Sequence, residues 1–295
     1  MARRQLKTRR VGHAGTLDPL ASGVLVLLTE EHTRLSNFLT ASQKSYLAWV
    51  SFGATTPTLD AEGPLIETAT PPDLAVLRQR LPELFPAFLE LTEQVPPNFS
   101  AVKQAGVKGY EAARRGEFRD MPARAAGYRR IELLGVADSL AGLPGSFEQA
   151  QDGAWQPAAA GREFGLPPEL AALPTALISL EVQAGTYIRS FARDLGEQLE
   201  CGAFLSGLVR TSAGKIPLAQ TVSVDDIGTA TGLDPLDVLP FPSVQLDENE
   251  AARVRQGQRL RPEFTDMAVL VDPAGSIVAI ARNEDGRMKL KAVFS

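Results

Sequence analysis

Apolar and polar positions alternate most regularly over residues 44–52. Tyr46, Ala48, Val50 and Phe52 fall on one side, Leu47 and Trp49 on the other, which predicts a strand. The apolar run at 24–29 predicts a buried strand. Leu35, Phe38 and Leu39 share one face of a short helix predicted over 31–42. Leu74, Leu77, Leu81 and Leu84 recur at helical spacing behind Pro72, which predicts a helix over 72–84. A further helix is predicted over 109–116, closed by Gly116. Residues 55–64 read as a turn-rich connection. Residues 177–182 read as a strand, Gly185-Thr186 as a turn, and 189–200 as a helix ended by Gly202.

Two stretches break this rhythm. Residues 141–175 are rich in Ala, Gly and Pro with little periodicity, and read as an insertion or excursion from which Trp155 docks on the surface. Residues 232–243, rich in Leu, Asp and Pro, read as a linker to a tail with short strands at 268–271 and 277–280. There is no internal repeat. The pattern is α+β: a mixed or antiparallel sheet in residues 1–235 and a small β-rich domain in 244–295.

At 295 residues, 44% hydrophobic and 22% charged, the chain has the composition of a globular protein. No apolar run is long enough to span a bilayer, and the basic start lacks the apolar stretch of a secretory signal. One cysteine, Cys201, excludes an intrachain disulfide and a cysteine-cluster metal site. These features place the chain in a reducing cytoplasm.

The net charge is −5, but residues 1–17 carry Arg3, Arg4, Lys7, Arg9 and Arg10 and no acid. Residues 97–130 hold a second excess, with Lys103, Lys108, Arg114, Arg115, Arg119, Arg124, Arg129 and Arg130. Taken alone these are solvated faces. They are also the kind of patch that grips phosphates whatever the net charge.

Candidate chemistry centres on Gly12-His13-Ala14-Gly15-Thr16-Leu17-Asp18-Pro19-Leu20-Ala21-Ser22-Gly23. Glycines open unusual backbone conformations and Pro19 fixes its own φ, so the loop holds one carboxylate in a set direction. Alone, it reads equally as a turn whose aspartate caps amides. Further strings stand at Lys44-Ser45-Tyr46, at residues 94–103, and at Tyr110-Glu111-Ala112-Ala113-Arg114-Arg115-Gly116. Two more are Gly185-Thr186-Tyr187-Ile188-Arg189-Ser190 with Ala192-Arg193-Asp194-Leu195-Gly196, and Cys201-Gly202-Ala203 leading to Leu208-Val209-Arg210-Thr211. In this order the strings resemble the TruB family of tRNA pseudouridine synthases, over roughly residues 9–135 and 176–220.

The resemblance implies isomerisation of uridine at position 55 in the T loop of tRNA. The bond from N1 to the sugar breaks, the base turns, and a bond forms through C5. No redox change occurs, so neither cofactor nor metal is called for. An ionised carboxylate beside ribose and base is required as nucleophile or base. The family motifs assign it to Asp18, with Arg189 as the guanidinium that keeps it charged and Tyr46 stacked on the base. Tyr187 and Leu208 would complete the pocket and Lys44 would bind substrate. His13 would fill the space left by flipped bases, since the target must leave the stack. The expected partner is the T arm of tRNA, held by shape and phosphates. No protein partner or membrane is expected, and the chain is expected to be a monomer. The tail looks like the PUA-type module of bacterial members, although its eight acids balance its eight bases.

Each residue also has an ordinary alternative. Arg189 could cap a helix or pair with Asp194, Tyr46 could pack in a sheet, Leu208 could be core, and His13 could be a structural hydrogen-bonder. Members usually have a first strand and a Lys-Pro loop ahead of the Gly-His motif. Here only a basic stub precedes Val11, so a binding-only protein is the main rival. Pro57 and Val209 also depart from the family pattern. An aspartate-nucleophile hydrolase would need a second carboxylate in Asp-x-Asp spacing, whereas Asp60-Ala61-Glu62-Gly63 reads as a turn. A dinucleotide fold would need a further glycine and a helix after Gly15.

Overall fold

The computed structural model describes residues 1–100, 103–104, 107–109, 113, 115–117, 120–149, 155–157, 162–163 and 172–294. Its centre is a six-stranded mixed sheet. The strand Tyr128–Ala137 pairs with Thr175–Val182, which pairs with Lys44–Phe52, then Ala203–Ala213, then the two-residue strand Ile216–Pro217, all antiparallel. The sixth strand, Ala21–Gly23, lies parallel to Ala203–Ala213.

Lys44–Phe52 is the middle strand and is buried on both faces. Tyr46, Ala48, Val50 and Phe52 join one core, and Leu47 and Trp49 another. That explains a strand with apolar residues on both sides of its alternation. Ser51 Oγ donates to Ser206 Oγ at 2.9 Å and bonds Thr175 Oγ1 at 2.8 Å, so the hydroxyls buried in this sheet satisfy one another across three strands.

Two helices cover the first face. Leu74–Leu89 is capped by Asp73, whose carboxylate accepts from the Val76 amide. It runs a turn beyond the predicted end despite Pro82 and Pro86, because Phe85 and Phe88 extend the buried stripe of Leu77 and Leu81. Ile188–Gln198 buries Phe191, Ala192 and Leu195 against the same core.

Several local expectations shift. The strand predicted over 24–29 is shorter, Val26–Thr29, and pairs with Val11–Ala14, while the main sheet takes the preceding Ala21–Gly23 instead. The predicted helix at 31–42 is a 3₁₀ segment, Glu30–Leu35, followed by a short α-helix, Ser36–Thr40. The described part of 141–175 is not without structure. Short strands at Ser146–Gln149, Trp155–Pro157 and Arg162–Glu163 form a three-stranded sheet, and Thr175 already belongs to the main sheet. Half of the helix predicted over 109–116 lies outside the described residues, as does the side chain of Trp155.

A second sheet carries the tail, in the order Ser243–Gln245, Met267–Val271, Ile277–Glu284, Arg287–Val293. Glu248–Arg255 packs on it behind a complete capping box of Asp247 and Glu250. The segment at 232–243 is more than a linker. It contains the helical turn Pro235–Val238, and Leu239 is fully buried among Leu28, Leu35, Leu39, Val269 and Ile280. The tail sheet thus shares apolar contacts with the Val11–Ala14 and Val26–Thr29 pair through this stretch.

Candidate active site

The Asp18 loop bridges Val11–Ala14 and Ala21–Gly23. Gly15 and Gly23 hold φ of +85° and +99°, which side-chain-bearing residues rarely adopt. At Gly23 a Cβ would lie 2.3 Å from the carbonyl oxygen of Arg210, so the close parallel pairing here requires glycine. The Asp18 carbonyl accepts from the Ala21 amide at 2.9 Å and closes the turn.

Arg189 stands in the first turn of Ile188–Gln198 and reaches this loop. Its Nε donates to Asp18 Oδ2 and its Nη2 to Asp18 Oδ1, both at 2.9 Å, a two-pronged charge-assisted pair. The Asp18 side chain is 34% exposed and that of Arg189 6%, so the carboxylate faces open space and the guanidinium backs it. Arg189 also donates to the carbonyls of Thr58 at 3.1 Å and Phe99 at 2.9 Å. The alternative pairing with Asp194 is not formed, since Asp194 pairs with Arg193.

A second carboxylate shares this guanidinium. Asp60 Oδ2 lies 3.5 Å from Arg189 Nη1 with its side chain only 3% exposed. Burial raises the Asp60 pKa, opposed by the Thr58 hydroxyl, Arg189 and the Glu62 amide. Residues 60–63 do form a turn, but the turn delivers a buried acid to the site. Nothing in local spacing marks Asp60, because it meets Arg189 only through the tertiary fold.

Tyr46 is buried on the same sheet face. Burial raises its phenol pKa, opposed chiefly by the Arg210 guanidinium, with Asp18 pushing the other way. Arg210 is its cross-strand partner and is 1% exposed. It donates to the carbonyls of Val24 at 2.7 Å, Gly15 at 3.0 Å and Thr16 at 3.4 Å. Nothing in the local sequence marks Arg210 for a role, because only strand register pairs it with Tyr46.

The other candidates are placed as follows. Tyr187 is half-buried at the N-cap of the Arg189 helix, and its amide donates to Gln94 Oε1 at 2.9 Å. Gln94 in turn donates to the Tyr128 hydroxyl at 2.7 Å, so a buried amide braces the helix start. Leu208 is buried in the core beside Ala21 and Ala48, at the base of the loop. His13 is exposed on Val11–Ala14, and its carbonyl accepts from Ser36 Oγ at 3.0 Å. Lys44 is buried and donates from Nζ to the carbonyls of Thr40 and Ser42 at 2.8 and 2.5 Å. Desolvation, then Arg210, lowers its pKa to about 8. The arrangement therefore gathers Asp18, Arg189 and Tyr46 at one place, with Tyr187 and Leu208 at its margin and Lys44 beneath.

Residues 3–147 match the family profile "TruB family pseudouridylate synthase (N terminal domain)", and residues 241–295 match "tRNA Pseudouridine synthase II, C terminal". A protein of Thermus thermophilus named tRNA pseudouridine synthase B is 46% identical over 295 residues, covering 100% of this chain and 93% of that protein. The chain belongs to the TruB family of pseudouridine synthases. Another relative of that name, from Deinococcus radiodurans, is 43% identical over 98% of this chain and 92% of its own length. Among solved structures, this TruB-family chain is similar to a chain from a Cbf5-Nop10-Gar1 complex. The TM-score is 0.62 with 19% identity over 99% of this chain and 79% of the other, a likeness of fold. A chain from an H/ACA RNP bound to a substrate RNA containing 2'-deoxyuridine gives a TM-score of 0.58 at 17% identity.

Proposed function

We propose that this chain converts uridine to pseudouridine at position 55 in the T loop of tRNA, with Asp18 as the reacting carboxylate. The observation that carries this is the Asp18–Arg189 pair. A buried guanidinium holds a partly open carboxylate by both oxygens, beside a buried tyrosine, in a chain of this family. Such pairing fixes the direction of the carboxylate for attack or proton removal at the ribose and base.

Chemically, the N1–C1′ bond breaks, a C5–C1′ bond forms, the C5 hydrogen leaves as a proton and N1 gains one. Tyr46 offers a ring to the base and a hydroxyl that burial keeps protonated. Tyr187 and Leu208 limit the space around the flipped base, and Lys44 supports the substrate side of the strand. His13, exposed at the loop's edge, enters the space left in the RNA. Residues 1–235 act as the catalytic domain and 244–295 as a PUA-like RNA module. The protein works as a cytoplasmic monomer on the T arm of tRNA.

The test is single-nucleotide mapping of pseudouridine in an unmodified tRNA transcript treated with the wild type and with Asp18→Asn. Conversion at the T-loop uridine alone, absent with Asp18→Asn although tRNA is still bound, is the expected result. Conversion elsewhere, or by Asp18→Asn, would overturn the proposal. Binding without conversion by the wild type would favour the binding-only rival.

A further inference from the structure

Arg210 presents a problem that neither the Asp18 pair nor the core explains. Its side chain is almost completely buried, yet no carboxylate among the described residues pairs with it. A buried guanidinium without a counter-ion is costly, and a strand position that only needs filling is served better by an apolar residue. The compensation lies in what it holds. Three carbonyls accept from it, those of Gly15, Thr16 and Val24, and they flank Asp18 on both sides. Its backbone carbonyl accepts from the Val24 amide at 2.9 Å, a further tie to the same loop. Across the sheet its register partner is Tyr46, and the guanidinium is near enough to oppose the rise that burial imposes on the phenol pKa.

The loop has little else to fix it. Gly15, with φ of +85°, has neither a side chain nor a strand partner, and the space above it ends on Arg210 Nη1 and Lys44 Cε, each 3.5 Å from where a Cβ would be. Arg189 grips the Asp18 carboxylate but does not touch the loop backbone or Tyr46 in any described hydrogen bond. We infer that Arg210 is a positioning residue that ties the backbone on both sides of Asp18 to the strand position paired with Tyr46, and so sets the distance between the two groups. It works from beneath the site, without touching RNA. This rests on the proposed roles of Asp18 and Tyr46, but the geometric part does not need them.

Two measurements on the full chain test it. In protein labelled with 3-fluorotyrosine, the four tyrosines give resolvable fluorine signals, and Tyr46→Phe assigns one of them. Arg210→Lys, which keeps the charge but cannot span the three carbonyls, should shift the Tyr46 signal while leaving that of Tyr128 in place. An unmoved Tyr46 signal overturns the inference whether or not the protein is active, and so separates its failure from failure of the functional reading.

The kinetic arm uses steady-state pseudouridine formation. Arg210→Lys should lower kcat by about a hundredfold while KM for tRNA changes by less than about threefold, as misplacement by an ångström does. In a Tyr46→Phe background the same change should cost much less, because one of the two groups it aligns is gone. Equal losses in both backgrounds, or a loss in KM alone, would overturn the positioning role. Arg210→Gln serves as a second variant, and circular dichroism at the assay temperature establishes that each is folded.

Discussion

Replacing Arg189 by methionine keeps an unbranched apolar stem and removes the charged guanidinium, and its cost can be worked out from the geometry. Asp18 loses two hydrogen bonds of 2.9 Å, but at 34% exposure water replaces them. Asp60 has no such recourse: it is 3% exposed and loses the guanidinium 3.5 Å away. The carbonyls of Thr58 and Phe99 also lose a donor. Stranding one member of a buried charge pair costs about 3–5 kcal/mol. Burial already raises the pKa of Asp60, and without the cation it rises further. An acid whose folded pKa lies above its unfolded value penalises folding at high pH, and the penalty fades as pH falls and the carboxyl protonates. The destabilisation by Arg189→Met should therefore be largest near neutrality and shrink toward pH 5. Adding Asp60→Asn should recover about 1 kcal/mol or more, because the two sites are coupled. Urea unfolding followed by tryptophan fluorescence reads this, since Trp49 is buried in the central strand. A loss below about 1 kcal/mol, independent of pH and additive with Asp60→Asn, would refute a shared guanidinium with a buried second acid.

Two further outcomes follow from the same geometry. Gly23→Ala should cost about 1–3 kcal/mol from backbone strain alone, and more from the approach to Arg210. Because the strain displaces the Asp18 loop, pseudouridine formation should fall further than thermal stability does, and near wild-type turnover would contradict the tight parallel pairing. Lys44→Met should remove a pH dependence. With a folded pKa near 8 and an ordinary value of 10.5, wild-type Lys44 is neutral when folded but charged when unfolded between those pH values, so its contribution to stability rises with pH across that window. Thermal melts from pH 7.5 to 9.5 should show a steeper rise for the wild type than for Lys44→Met; parallel curves would contradict the burial of the amine.

Much of the frame is legible from local pattern. The alternation at 44–52 marks the central strand, and leucines at helical spacing mark the helix that covers it. The Asp18 loop, Tyr46 and Arg189 stand in separate strings, and only the fold brings them together. What local pattern leaves out is what depends on register. Asp60 sits in an ordinary turn until the fold places it against Arg189, and Arg210 is one more strand residue until the sheet pairs it with Tyr46. Leu239 lies in a stretch rich in proline and aspartate, and only packing of the second sheet against Leu28 and Leu35 buries it. The helix end at Leu89 was hidden because two prolines argue locally for a stop that the buried Phe85 and Phe88 outweigh.

The central claim is that Asp18 performs the isomerisation, and loss of the C5 hydrogen reports on it directly. Forming the C5–C1′ bond expels that hydrogen, so tRNA carrying tritium at C5 of its uridines should release label to water under single-turnover conditions with the wild type. Release equivalent to one uridine per tRNA, abolished by Asp18→Asn at saturating tRNA and with binding intact, is the predicted result. Tritium release by Asp18→Asn at a rate near that of the wild type would contradict the account.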